Sequence, residues 1–159
     1  MTIRWGRVVF AFLGCAVIGI AVFGAMAWRA TSTEVIEGAD VLQRFDALRA
    51  QLGAGPPILS LAQDGTVRNR VAAPEPGAVT SLSRIVVFVY RADTGRLIKT
   101  RIPFWFFRIK APAADFALEG TALSFQKLGI TADDLQSYGP RVVIDHRTQG
   151  GGRLLIWTE

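Results

Sequence analysis

His146, the only histidine of the chain, stands between Asp145 and Arg147, and a histidine beside a carboxylate is the pairing from which a general base is made. Ser124, Ser137 or a threonine would then supply the nucleophile. The spacing argues against this chemistry. Residues 141 to 147 read as a strand, on which Asp145 and His146 point to opposite faces, and no motif adds the third convergent group that a triad needs. The expectation is that no residue here is catalytic, with hydrolysis through His146 as an alternative.

Metal and phosphate chemistry are equally short of groups. One histidine and one cysteine, Cys15, leave no soft-metal ligand set. Asp133-Asp134 is better explained by the dipole of a helix start than by calcium. Gly150-Gly151-Gly152 is followed by Arg153-Leu154 and lacks the Lys-Ser/Thr of a phosphate cradle, so it reads as a turn. Neither a cofactor nor a metal is expected.

The segment that stands out is Arg101 to Lys110, RIPFWFFRIK, four consecutive aromatics bracketed by cations. As the second half of a strand from Arg96 to Lys110, it places Ile98, Ile102, Phe104 and Phe106 on one face. Lys99, Arg101, Trp105 and Phe107 take the other, and Pro103 interrupts the ladder. Both sets cannot face one core. Either a helix covers the second face, or Trp105 and Phe107 touch lipid or a partner protein, helped by Arg101, Arg108 and Lys110. Arg101, Phe104, Trp105, Phe107, Arg108 and Lys110 are therefore the candidate interaction surface.

The elements that position these residues follow from periodicity. Thr31-Ser32-Thr33-Glu34 has the form of a capping box and predicts a helix start. Val41, Leu42, Phe45, Leu48 and Leu52 recur at helical spacing and predict an amphipathic helix over 39–52, ended by Gly53. A hairpin is expected from residues 58–62 and 67–72 around Asp64-Gly65. Arg84 to Arg91 carries IVVFVY, apolar on both faces, and reads as a central strand covered twice. Asp93-Thr94-Gly95 turns it into the next strand. Pro112 suggests a helix over 113–123, and Thr131 caps a short helix stopped by Gly139-Pro140. Residues 141–147 and 153–158 close the chain as a hairpin. The fold class is α+β, with a mainly antiparallel sheet of about six strands and two or three helices on one face.

Ahead of this domain lies Val8 to Trp28, twenty-one residues without a charge. At about 1.5 Å per residue such a helix covers the roughly 30 Å hydrocarbon core of a bilayer. Val8, Phe10, Phe12, Leu13, Val17, Ile18, Ile20, Val22, Phe23 and Trp28 would form the anchor. Arg4 and Arg7 precede it and only Arg29 follows closely, so the positive-inside bias keeps residues 1–7 in the cytoplasm. Residues 29–56 then form a juxtamembrane helix and linker, and 57–159 the extracytoplasmic domain. Trp5 and Trp28 suit the two headgroup levels. Ala25-Met26-Ala27 has the form of a signal-peptidase site, but the run is longer than an ordinary leader core and Trp28-Arg29 follows. Leu13-Gly14-Cys15 resembles a lipobox only faintly, since apolar sequence continues after Cys15.

The formal net charge is +5, but the three arginines before Thr31 leave 15 basic against 13 acidic residues in the rest. A nucleic-acid reader needs a concentrated basic face, so none is expected. With Cys15 inside the apolar run, the domain has no disulfide available and is held by packing. The functional expectation is a membrane-anchored, non-catalytic interaction or accessory module of the cell envelope, with membrane lipid and another envelope protein as partners. An exported soluble domain binding lipid or a small ligand is the alternative.

Overall fold

A computed structural model describes residues 19, 22, 25, 31–35, 38–53, 55–72, 74, 80–110, 115–118 and 121–159. The chain divides into two units, Met1–Ser32 and Thr33–Glu159. In the first, Gly19, Val22 and Ala25 are helical. The remaining anchor residues, together with Arg4 and Arg7, lie outside the described residues. Among the described residues no helix is long and apolar enough to cross a membrane.

The second unit is α+β. Its strand β4 (Arg84–Arg91) shows how the sequence builds it: Ile85, Val87 and Val89 enter one apolar cluster, while Val86, Phe88 and Tyr90 enter another. Period-two alternation of wholly apolar residues needs cover on both sides, and both sides have it. β5 (Arg96–Pro103) pairs antiparallel with β4 from Arg91↔Arg96 to Arg84↔Pro103, turning at Gly95, whose φ of 63° suits glycine. On the other flank β9 (Arg153–Thr158) pairs antiparallel with β4, and β8 (Val142–Arg147) with β9.

β2 (Leu59–Leu61) joins β8 in parallel and forms the expected hairpin with β3 (Val67–Arg70). With β1 (Thr31–Val35) beside β5, the strand order is β1-β5-β4-β9-β8-β2-β3. The six strands read from the sequence are all present. β1 is an addition, and it replaces the helix start expected at Thr31.

Helices cover both faces of this mixed sheet, where one face was expected. α1 (Gly38–Gln51) lays Val41, Phe45 and Leu48 over Val86, Phe88, Leu155 and Trp157, and Phe45 meets Phe88 at 4.8 Å between ring centroids. Leu42, placed inward from the sequence, is exposed. The opposite face is covered by α2 (Phe104–Lys110), the turn carrying Phe125, Leu128 and Ile130, and α3 (Ala132–Tyr138). Thr131 caps α3 through a reciprocal box with Asp134, bonds of 2.8 and 3.1 Å.

Two segments differ in kind from the sequence reading. The strand expected to run on to Lys110 stops at Pro103 and becomes α2. Pro103 has no N–H to donate and β4 begins opposite it at Arg84, so the ladder has no partner beyond that point. The helix expected over 113–123 is instead a second, two-stranded sheet, β6 (Asp115–Leu118) antiparallel to β7 (Thr121–Ser124).

Candidate functional site

α2 carries the sequence-derived candidates, and its helical geometry sorts them. Phe104 and Phe107 are three residues apart and share one side of the helix. They are 5% and 1% exposed, 6.0 Å apart between rings, and Phe107 packs edge-on against Phe125 at 4.7 Å. Both are core, which corrects their assignment to an interaction surface. Trp105 is turned out, 57% exposed, with Phe106 edge-on to it at 5.9 Å. Phe107, placed with Trp105 on a common strand face, therefore parts from it because the segment is a helix.

The cations do not share one surface, because Arg101 stands opposite Val86, a member of the cluster under α1, whereas α2 covers the other face. Arg101 is exposed on β5, and Arg108 is exposed on α2, 3.7 Å from Asp133, which is exposed as well. The side chain of Lys110 lies outside the described residues. Beside Arg108 a groove of about 500 Å³ is lined by Phe125, Ile130, Thr131, Ala132 and Asp133.

The other chemical candidates do not converge. His146 faces Leu154 across the ladder and Asp145 faces Leu155, members of opposite apolar clusters, so the two side chains lie on opposite faces of the sheet. His146 is buried, and that desolvation pushes its pKa below the ordinary 6.5, with Asp145 opposing in part. Ser137 donates to the Asp133 carbonyl at 3.0 Å within its own helix. The side chain of Ser124 lies outside the described residues. Among the described residues no group of His, Cys, Asp and Glu is placed to hold a metal ion. A groove of about 810 Å³ between the β2–β3 and β8–β9 turns is lined by Gln63, Asp64, Arg68, Thr148 and Gln149, which include no activated nucleophile and base.

A charged cluster not foreseen from the sequence joins α1 to the sheet. The Arg153 guanidinium, 8% exposed, donates to Asp46 at 2.8 Å, lies 3.5 Å from Asp145, and sits over the Phe45 ring at 5.0 Å. Arg49 reaches the other oxygen of Asp145 at 3.4 Å and also bonds the carbonyls of Gly53 and Gly55. Asp46 and Arg49 are three apart on α1, the one local signal that both reach the same neighbour. Their strand partners are set by register, which single-chain periodicity does not reveal. Nearby, Lys99 lies 5.9 Å from the Phe88 ring and 5.8 Å from that of Trp157. Burial and the neighbouring Arg101 push its pKa down, against the pull of Glu159.

This cluster is a docking clamp for a helix, and α2 is the element that presents an exposed aromatic, Trp105, and one exposed cation, Arg108. Comparison with family models, with curated proteins and with solved structures finds no match for the chain.

Proposed function

We propose that the chain is a membrane-tethered, non-catalytic interaction or accessory module whose α+β domain lies on the extracytoplasmic side of the cell envelope. The observation that carries this reading is the uncharged apolar run Val8–Trp28, with Arg4 and Arg7 before it and only Arg29 close behind. The outward Trp105 supports a contact role for the domain. So does the divergence of Asp145 and His146, which leaves the one acid–histidine pair of the sequence without a shared face.

A reporter fused after Glu159 that is active only outside the cytoplasm tests the topology. Full activity, with the chain retained in carbonate-washed membranes, is expected. An intact fusion without reporter activity overturns the reading. Ala25-Met26-Ala27 favours a second reading, a domain released by cleavage, and intact mass separates the two: a mature chain starting at Trp28 makes the apolar run a leader.

A further inference from the structure

We propose that the pocket at the C-terminal end of α1 is a binding site for a small organic carboxylate, held by the Arg141 guanidinium. The pocket has a volume of about 280 Å³ and lies within the second unit, between the end of α1, the loop at Gly55 and Pro56, and the turn from α3 into β8. Among the described residues its walls hold two arginines and no acidic side chain. Arg49 is already balanced, since Asp145 lies 3.4 Å from its Nε and the carbonyls of Gly53 and Gly55 take its other nitrogens. Arg141 is not. Among the described residues its guanidinium donates to one acceptor, the Pro56 carbonyl at 3.0 Å, and meets no carboxylate. Arg141 is half-buried, and a charge without a counter-charge costs more the less water reaches it.

The position of Arg141 is fixed by its own surroundings. α3 stops at Gly139, whose φ is 72°, and Pro140 cannot continue the helix. The Arg141 backbone is then pinned to the buried Thr158: its N–H donates to Thr158 Oγ1 and its carbonyl accepts the Thr158 N–H, both at 3.0 Å. The guanidinium lies 5.9 Å from the centroid of the Tyr138 ring, an aromatic face that restrains its plane. Charge and shape select the occupant. A planar carboxylate matches the fork of a guanidinium, oxygen for N–H. Leu52, Pro140 and Val142 line the same pocket and suit an apolar body better than the hydration shell of a free phosphate. A volume of about 280 Å³ is at the small end of ligand pockets, so the acid is a compact one.

The test is a titration of the detergent-solubilised full chain with sodium benzoate at constant ionic strength, followed through arginine Nε–H and backbone amide resonances. Benzamide is the uncharged control, and inorganic phosphate the control without an apolar body. The expected result is a saturating shift of the Arg141 Nε–H with benzoate, accompanied by the amides of Leu52, Gly55 and Val142, and none with either control. In Arg141→Gln the affinity read from those amides is expected to fall about tenfold or more, because a charged hydrogen bond is lost. Gly55→Asp makes the same point with the arginine in place. A Cβ there stands 3.9 Å from Arg141 Nη2, in ordinary contact, so the new carboxylate takes the site and benzoate binding is expected to be lost. If the amide spectrum shows Arg141→Gln to be unfolded, Gly55→Asp decides. Benzoate shifts that persist in Gly55→Asp, or no saturating shift in wild type, overturn the inference. Equal shifts with benzamide overturn the role of the charge, and equal shifts with phosphate overturn the choice of an acid with an apolar body.

Discussion

Phe107 and Trp105 are two residues apart in the sequence and differ in every physical respect that matters for stability. Phe107 is enclosed by Phe104, Phe125 and the sheet, so Phe107→Ala removes packed atoms and leaves a cavity, at a cost of about 3–5 kcal/mol. Trp105→Ala removes a side chain that is mostly in water and is expected to change stability by about 0.5 kcal/mol or less. Urea denaturation of the two variants checks the contrast, and comparable destabilisation would mean that Trp105 is core. His146 gives a second prediction at this scale. Because burial depresses its folded pKa, the unfolded chain binds the proton more readily, and stability rises with pH across the gap. The contribution is complete above 6.5 and is lost as pH falls through the folded value. Denaturation midpoints at a series of pH values are expected to show this slope in wild type and not in His146→Gln.

Among the elements, α1 is held to the sheet by two kinds of contact, and they are separable by mutation. Its apolar stripe rests on Phe88, Leu155 and Trp157, while Asp46 and Arg49 meet Arg153 and Asp145. Asp145→Ala leaves Arg153 largely out of water with Asp46 alone and removes the carboxylate of Arg49. A loss of about 2–3 kcal/mol is expected, with amide exchange accelerated in α1 and unchanged in α3. Equal acceleration in both helices would show a global effect, and so would refute the clamp. The ladders of β4, β5, β8 and β9 were legible in the sequence because their alternation and glycine turns are local signals, as was the Thr131 cap. α2 was not legible: FWFFRIK has the aromatic and branched composition of a strand, and only the tertiary position of Phe125 makes Phe104 and Phe107 a helical pair. The β6–β7 hairpin was missed because Pro112 and the spacing of Phe116, Leu118 and Leu123 fit a helix.

For the molecule as a whole, the proposed orientation depends on a narrow charge margin. Two arginines precede the apolar run and one follows it closely, and acidic residues contribute little to the positive-inside bias, so Glu34 and Glu37 do not widen the margin. Arg7→Ser alone leaves one arginine on each side and is expected to give a mixed population. Arg4→Ser/Arg7→Ser leaves Arg29 as the only nearby cation and is expected to turn the segment over, bringing the domain into the cytoplasm. A reporter after Glu159 that is active only in the cytoplasm would then gain signal in the order wild type, single variant, double variant. The domain has no cysteine and needs no oxidising space to fold, so inversion would alter its location without removing a covalent support. A reporter signal that stays at the wild-type level in the double variant would remove the arginine asymmetry as the determinant of topology, and with it the observation on which the envelope-facing placement rests.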